Sequence, residues 1–454
     1  MDLHNKNVLV IGLATTGIPL VKVLDDLGAS IIVNDARNET QLEETLKKLG
    51  EFNVKYYLGK HPINIDELGH IDLVVVSPGV PLDIPFIKQI KQKGVKLIGE
   101  IELAYRLMKG QIIAITGTNG KTTTTALTGE IFKNANKNVF ILGNIGTAAI
   151  SKALDTKDDD FIILEISSFQ LESCDKFHPN VATVLNITPD HLNRHYTMNN
   201  YIDIKFSIFQ NQTITDYSII NYDDLDCRNK IDRTNGKVIY FSRRQELEEG
   251  IFVKDDYIVI KKNGIERKVI NTADILLPGK HNLENALAAT AMAYIYGIDI
   301  EIISNSLKCF SGVDHRLQVI ANINGVEFIN DSKATNVESA NKAIEAVEKP
   351  ILLIAGGMDK NTDFTSFIRV IKKKVKVLYV FGEVSKKLFE TAKLNGFDSV
   401  HIVKDLDEGV SKAYNQASEG EAILLSPACA SWDMYTNFEE RGNHFKRIVS
   451  KLKG

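Results

Sequence analysis

Cysteine is scarce in this chain of 454 residues, and the four that occur, Cys174, Cys227, Cys309 and Cys429, lie far apart. That spacing excludes a CxxC metal knuckle and a closely spaced disulfide framework, and it fits a reducing compartment. Long apolar runs are lacking as well. The run Val8 to Leu13 is too short to cross a bilayer and is not followed by a cleavage site of small residues, so a cytoplasmic protein is expected. The formal net charge is only -4, with both signs spread along the chain. This leaves no basic stripe for nucleic acid and no polybasic tail for a membrane surface. Small molecules are the expected partners, and a monomer is the expected state.

What the chain does have is apolar side chains, 44% of its residues, enough at this length to fill two or three cores. Short runs rich in Val, Ile and Leu alternate with helical patterns, which predicts an α/β protein with parallel sheets and crossover helices. NVLVIGL reads as a strand, GIPLVKVLDDLG as an amphipathic helix ending at Gly28, and SIIVND as a strand ending in Asp35. DLVVVSPGV is a further strand running into Ser77, Pro78 and Gly79. The pattern restarts near residue 100 with QIIAIT, continues through FIILEI and VATVLNI, and then changes period. IFVKDDYIVIKKNGIERKVI alternates with period two, as an antiparallel ribbon does. A last restart near Gly312 brings PILLIAGG, VKVLYVFG and EAILLSPA. Three domains are therefore expected, at 1–99, 100–312 and 313–454.

The most informative stretch is AITGTNGKTTTT, Ala114 to Thr125. A strand, a glycine turn and a helix start follow one another, so backbone N–H groups and the helix dipole converge on an anion. Gly117, Thr118, Asn119, Gly120, Lys121, Thr122 and Thr123 form this loop; Lys121 reaches outer phosphates and Thr122 suits magnesium. A Walker A loop would need glycine where Ile115 stands, so this is a shorter form. The competing reading, a glycine turn that only caps a helix, does not account for the lysine and the run of threonines. GLATTG at residues 12–17 is weaker. Its middle glycine, needed for a dinucleotide pyrophosphate, is replaced by Ala14, and a tight strand-to-helix turn explains it about as well.

Other candidates gain weight by company. Glu165 ends FIILEI at the carboxyl edge of the same sheet, where it suits magnesium, and His191 is expected at the end of the next strand. Alone, a strand-end glutamate is usually solvated and a histidine usually structural. Lys205 falls in the helical stretch YIDIKFSIF, where spacing alone reads as a surface lysine covering apolar neighbours. Asn282 and Asn285 open an alanine-rich helix, with an N-cap as the bland role for one of them. Asp331, Lys333, Thr335 and Lys360 follow strands of the third domain and point to one shared anionic site.

Taken in order, TGTNGKTTT, GNIG, LEISSFQLE, LNITPDHLNRH, the Lys205 segment, GKHNLENALAA, DHR, NDSKATN and SPACASWDMYTNFEERG resemble the motif series of the Mur ligase family, from Gly12 to Gly442. SSFQLE and SPACASWD are similar to its D-glutamate-adding branch. The resemblance implies a Rossmann-like N-terminal domain for a UDP sugar, a central P-loop-type ATPase domain with a mostly parallel sheet, and a Rossmann-like C-terminal domain for the amino acid. It places the UDP sugar on Thr15, Thr16, Gly17, Asp35, Arg37, Ser77, Gly79, Asn144 and His191, with Ala36 standing where some relatives have threonine. It assigns ATP to the phosphate loop with Asn282, Asn285, Arg316 and Asp331. Magnesium falls to Thr122, Glu165, His191 and Lys205 as a carbamate, and D-glutamate to Thr335, Lys360, Ser431 and Phe438. Catalysis is assigned to Lys121, Glu165, His191, Lys205 and Lys333.

The implied reaction activates the L-alanyl carboxylate of the UDP sugar as an acyl phosphate at the expense of ATP, and the amine of D-glutamate then displaces phosphate. Another Mur or folylpolyglutamate-type ligase with a different acceptor is the alternative within the superfamily. From other classes, a nucleotide-binding switch would not need GGMDK or SPACASWD, and a dehydrogenase is opposed by Ala14.

Overall fold

The computed structural model describes residues 1–13, 16–277, 279–359 and 362–452. They fall into two compact units, Met1–Phe310 and Ser311–Gly454. Among the described residues, the first unit carries sheets of five and nine strands and the second a sheet of six.

The first sheet is parallel throughout. Its centre is Asn7–Ile11, flanked by Ser30–Asp35 and Leu73–Val76, with Val54–Leu58 and Lys96–Gly99 at the edges. These strands read as unbroken apolar runs because helices cover both faces. In the second sheet Gln111–Thr116 lies between Phe161–Glu165 and Val181–Val184, and Val139–Gly143 forms one edge. Beyond Val181–Val184 come Tyr217–Asn221 and Lys237–Ser242, both parallel. Gly250–Lys254, Tyr257–Lys262 and Ile265–Asn271 then form the antiparallel ribbon that the period-two alternation predicts.

One apolar core joins the two sheets of the first unit. Val8, Leu24 and Ile98 belong to the same cluster as Leu103, Ala149, Leu164 and Phe209. The helix Glu100–Leu107 connects the sheets and packs its buried face into that cluster. This shared core explains why residues on either side of position 100 fold as one compact body.

The second unit is built on Val326–Asn330, Ala422–Leu425, Ile351–Gly356, Val375–Phe381 and Val400–Ile402, all parallel, with Gln318–Ile323 antiparallel at one edge. Its two faces have separate apolar clusters, as expected of a sheet covered on both sides. No helix among the described residues is long and apolar enough to cross a membrane.

Candidate active site

Ligand sites of open parallel sheets lie at the carboxyl ends of the strands. At that edge of the central sheet, Gln111–Thr116 runs into the turn 117–120 and the helix Lys121–Asn134. Gly120 caps this helix at φ +83°, and a Cβ on it would lie 2.3 Å from Asn285 Oδ1. Only glycine tolerates both the backbone angle and the approach. Asn285 therefore lies against the loop, and its amide donates to Asn282 Oδ1 at 3.2 Å. Both asparagines are inside the helix Lys280–Ile295, whose cap is Gly279, so neither has the capping role that position alone suggests. Thr118 and Asn119 donate their N–H groups to Asn186 O and Oδ1, both at 2.9 Å, which fixes the loop. The first-turn N–H groups of the helix, which have no intrahelical acceptor, are then the donors that a phosphate would meet.

Lys121 Nζ donates to Gly117 O and Thr118 O, each at 2.9 Å. Lys205 Nζ donates to the same Gly117 oxygen at 2.8 Å and lies 3.4 Å from Thr116 Oγ1. Lys205 is 1% exposed, so the surface role that its spacing suggests is wrong. Burial above all, and then the charge of Lys121, hold its amine well below the usual lysine range.

Glu165 stands in register with Ile115 on the neighbouring strand and is 1% exposed. Its Oε1 accepts from Asn144 Nδ2 at 2.8 Å, and Asn144 N donates to the Glu165 carbonyl at 2.8 Å. Oε2 is buried without a hydrogen-bond partner. A carboxylate oxygen in that state is costly unless a cation or donor meets it. Among the described residues no group of three or more His, Cys, Asp and Glu forms a metal cage. Magnesium does not need one, because it is commonly held by one or two protein oxygens together with phosphates and water.

His191 is not at a strand end as expected. Its strand stops at Val184, and His191 sits at φ +52° before the helical turn Leu192–His195. The intervening backbone leaves the sheet because its N–H groups bond elsewhere. Ile187 N donates to Asp224 Oδ2 at 2.8 Å and Thr188 N to Thr118 Oγ1 at 3.0 Å. The imidazole packs on Phe169, ring centroids 4.8 Å apart.

At the first sheet, Asp35 is buried and accepts from Leu13 N at 2.7 Å, Arg37 N at 2.9 Å and Arg37 Nη2 at 2.7 Å. Burial pushes its carboxyl up, but the bonds from Arg37 and Leu13 outweigh this and hold it below the usual range. Asp35 thus fixes the turn after Asn7–Ile11 and aims Arg37. Ser77 is buried with an unpartnered hydroxyl, in a turn closed by Val80 N donating to Ser77 O at 3.0 Å. Gly79 is exposed in that turn, Thr16 precedes the helix Gly17–Asp26, and Gly17 packs on Leu13. Thr15 lies outside the described residues.

In the second unit, Asp331 accepts from Ser426 Oγ at 2.7 Å and from Leu317 N at 3.2 Å, and burial pushes its carboxyl up to about 7. Lys333 lies over the Phe438 ring at 5.9 Å, and Thr335 N donates to Lys333 O at 2.9 Å. Arg316 belongs to the turn closed by its N–H to Val313 O, and its charge acts on Asp331. Ser431 is buried, and its carbonyl accepts from Tyr435 N at 2.8 Å. Lys360 lies outside the described residues.

Sequence reasoning missed three residues. Tyr201 is buried, bonds Thr118 Oγ1 at 3.0 Å and lies under Lys205 Nζ at 4.9 Å. Its spacing, one helical turn before Lys205, carried that signal. Asn186, which holds the loop, followed a strand without a distinguishing neighbour. Arg441 is fully buried and binds Ser332 O at 2.9 Å and Cys429 O at 3.1 Å, framing the segments that carry Ser431 and Lys333.

Known families match the chain in three successive stretches. A model described as Mur ligase MurD-like, N-terminal domain, matches residues 6–99; Mur ligase middle domain matches 115–293; and Mur ligase, glutamate ligase domain, matches 315–429. The UDP-N-acetylmuramoylalanine--D-glutamate ligase of Alkaliphilus oremlandii is 57% identical over 454 residues, covering 100% of both chains. The protein of the same name from Clostridioides difficile is 49% identical over 455 residues, again covering 100% of both. Among solved structures, the UDP-N-acetylmuramate-alanine ligase of Thermotoga maritima has the same fold, with TM-score 0.55, 20% identity and coverage of 99% of this chain and 100% of that one.

Proposed function

The chain belongs to the Mur ligase family, and from that premise we propose that it is an ATP-dependent ligase adding D-glutamate to UDP-N-acetylmuramoyl-L-alanine in peptidoglycan precursor synthesis. The structural observation that carries this reading is the convergence of Lys121 and Lys205 on the Gly117 carbonyl, just past the strand that pairs with the one ending in a buried Glu165 with one partnerless oxygen. That is the equipment of a phosphoryl-transfer site.

A carboxylate does not condense with an amine in water because oxide is a poor leaving group. The L-alanyl carboxylate therefore takes the γ-phosphoryl group of ATP, releasing ADP and forming an acyl phosphate. The neutral amine of D-glutamate adds to that carbonyl carbon, and the tetrahedral intermediate collapses with loss of phosphate and a proton. Lys121 and the first-turn N–H groups spread charge on the phosphoryl oxygens. Thr122, Glu165, His191 and a carbamylated Lys205 are the proposed magnesium ligands, and the metal supplies neutralisation of phosphate charge. The unprotonated amine is the form that adds carbon dioxide, and burial of Lys205 beside Lys121 favours that form.

ATP is assigned to residues 117–123 with Asn282, Asn285, Arg316 and Asp331. The UDP sugar is assigned to Thr15, Thr16, Gly17, Asp35, Arg37, Ser77, Gly79, Asn144 and His191, and D-glutamate to Lys333, Thr335, Lys360, Ser431 and Phe438. In this proposal residues 1–99 serve the nucleotide sugar, 100–312 ATP and 313–454 the amino acid, in a cytoplasmic monomer.

The test is ADP release by the full chain with UDP-N-acetylmuramoyl-L-alanine and a panel of amino acids. D-glutamate should greatly outperform L-glutamate, L-alanine and diaminopimelate. Preference for another amino acid would overturn the assignment of substrate.

A further inference from the structure

We infer that Arg194 is a positioning residue that ties the proposed UDP-sugar turns of the first sheet to His191, and so sets where the acyl donor stands relative to the phosphate loop; this rests on the functional reading above. Arg194 lies in the helical turn that His191 starts. Its Nη2 donates to Val80 O at 2.9 Å and to Glu172 Oε2 at 2.7 Å, and Nε lies 3.2 Å from the same carboxylate oxygen. Its guanidinium stacks on the Phe169 ring at 5.1 Å, the ring that also supports the His191 imidazole at 4.8 Å. One planar cation thus touches the support of His191 with its face and, through Nη2, the backbone of the turn 77–80.

That turn is in contact with the other turn proposed to hold the UDP sugar. A Cβ on Gly12 would lie 2.9 Å from Val80 Cγ2 and 3.0 Å from Ser77 Cβ, so the turn packs directly on the start of GLATTG. A second tie runs in parallel, since Tyr196 Oη donates to the carboxylate of Asp83, just beyond the same turn. The Arg194 side chain is 14% exposed and that of Glu172 12%, so water competes little for these bonds. Glu172 neutralises the cation and fixes its plane, which leaves the Val80 bond to carry positional information. A lysine ammonium could reach Glu172 and Val80 O, but it lacks the second donor, Nε, that fixes orientation on Glu172 and the planar face that stacks on Phe169.

The test is steady-state kinetics of the full-length enzyme and of Arg194→Ala, Arg194→Lys and Tyr196→Phe, with calorimetric binding of UDP alone and thermal unfolding alongside. For Arg194→Ala, kcat should fall by roughly ten- to a hundredfold, as displaced reactants do, and KM for the UDP precursor should rise about tenfold. KM for ATP and UDP binding should stay within about twofold, and Arg194→Lys should recover only part of kcat, because charge alone does not restore position. Tyr196 is exposed, so Tyr196→Phe folds whatever happens to the arginine variants, and its UDP-precursor KM should rise with ATP KM unchanged. Arg194→Ala kinetics within twofold of wild type, full rescue by lysine, or equal loss for ATP and the UDP precursor together with a lowered unfolding temperature would each overturn the inference alone. An unchanged Tyr196→Phe would do so if Arg194→Ala failed to fold. Absence of D-glutamate-dependent ADP release in the wild-type arm would instead overturn the functional reading.

Discussion

Lys121 and Lys205, which come from different helices, donate to one acceptor, the carbonyl oxygen of Gly117, at 2.9 and 2.8 Å. Two ammonium groups so placed repel, and the buried one gives way. Desolvation and then Lys121 hold the Lys205 amine well below the usual lysine range, which favours the neutral form, the form that is nucleophilic toward carbon dioxide. Carbamylation would convert a cation that repels magnesium into an anionic oxygen ligand that suits it.

Lys205→Ala is accordingly expected to be nearly inactive and to recover in part when formate or acetate is added, because a small carboxylate can occupy the carbamate position. Lys121→Ala should lose on the order of a hundredfold or more in turnover and gain nothing from the same additives. Near-normal activity of Lys205→Ala without additive would return that residue to a packing role.

Gly120→Ala is expected to cost roughly a hundredfold in ADP formation or more, since misplacing a reacting group by about 1 Å has that effect. The added Cβ would meet Asn285 Oδ1 at 2.3 Å at a backbone angle of +83°. The loop must then shift or Asn285 must leave it. UDP binding, measured by calorimetry, should be unaffected. An alanine variant with wild-type KM for ATP would show that the contact is slack.

The buried strands, the phosphate loop and the ribbon were legible because periodicity and glycine turns act locally. Lys205 was not, because its spacing among aromatic and aliphatic neighbours reads as a surface lysine covering apolar side chains, while the acceptors that hold its amine, Thr116 Oγ1 and Gly117 O, are remote in the chain. His191 was misplaced for a related reason. The strand before it is cut short by bonds from Ile187 and Thr188 to Asp224 and Thr118, partners that no local pattern reveals. Arg441 is the extreme case, a fully buried guanidinium whose acceptors are backbone carbonyls and a hydroxyl, groups that any sequence contains.

Glu100 should make stability depend on pH. It is buried, accepts one bond from Ile150 N at 2.7 Å, and leaves Oε2 without a partner. Burial raises its carboxyl from 4.5 to about 7. Between those values the folded state holds the proton that the unfolded state has lost, so this group's contribution to stability falls as pH rises and levels off above about 7. The loss is of order 3 kcal/mol. Glu100→Gln cannot titrate, and the cost of its own unsatisfied amide is the same at every pH. Its melting temperature relative to wild type should therefore rise by several degrees from pH 5 to pH 8. Parallel wild-type and variant curves would sink the idea.

Glu165→Gln separates a catalytic carboxylate from a structural one. The wild-type Oε1 is held by Asn144, whereas Oε2 is buried and partnerless, so the fold tolerates a costly group that a bound cation would relieve. Glutamine keeps the volume and the acceptor for Asn144 while removing the charge. Without metal, the variant should melt at the same temperature as wild type or slightly higher, as expected when a buried charge kept for function is removed. With substrates present, turnover should fall by about a hundredfold, and the magnesium concentration needed for half-maximal rate should rise. UDP binding should not change. A variant that melts well below wild type would mean that the carboxylate holds the sheet edge together, and one that keeps both its rate and its magnesium requirement would remove Glu165 from the metal site.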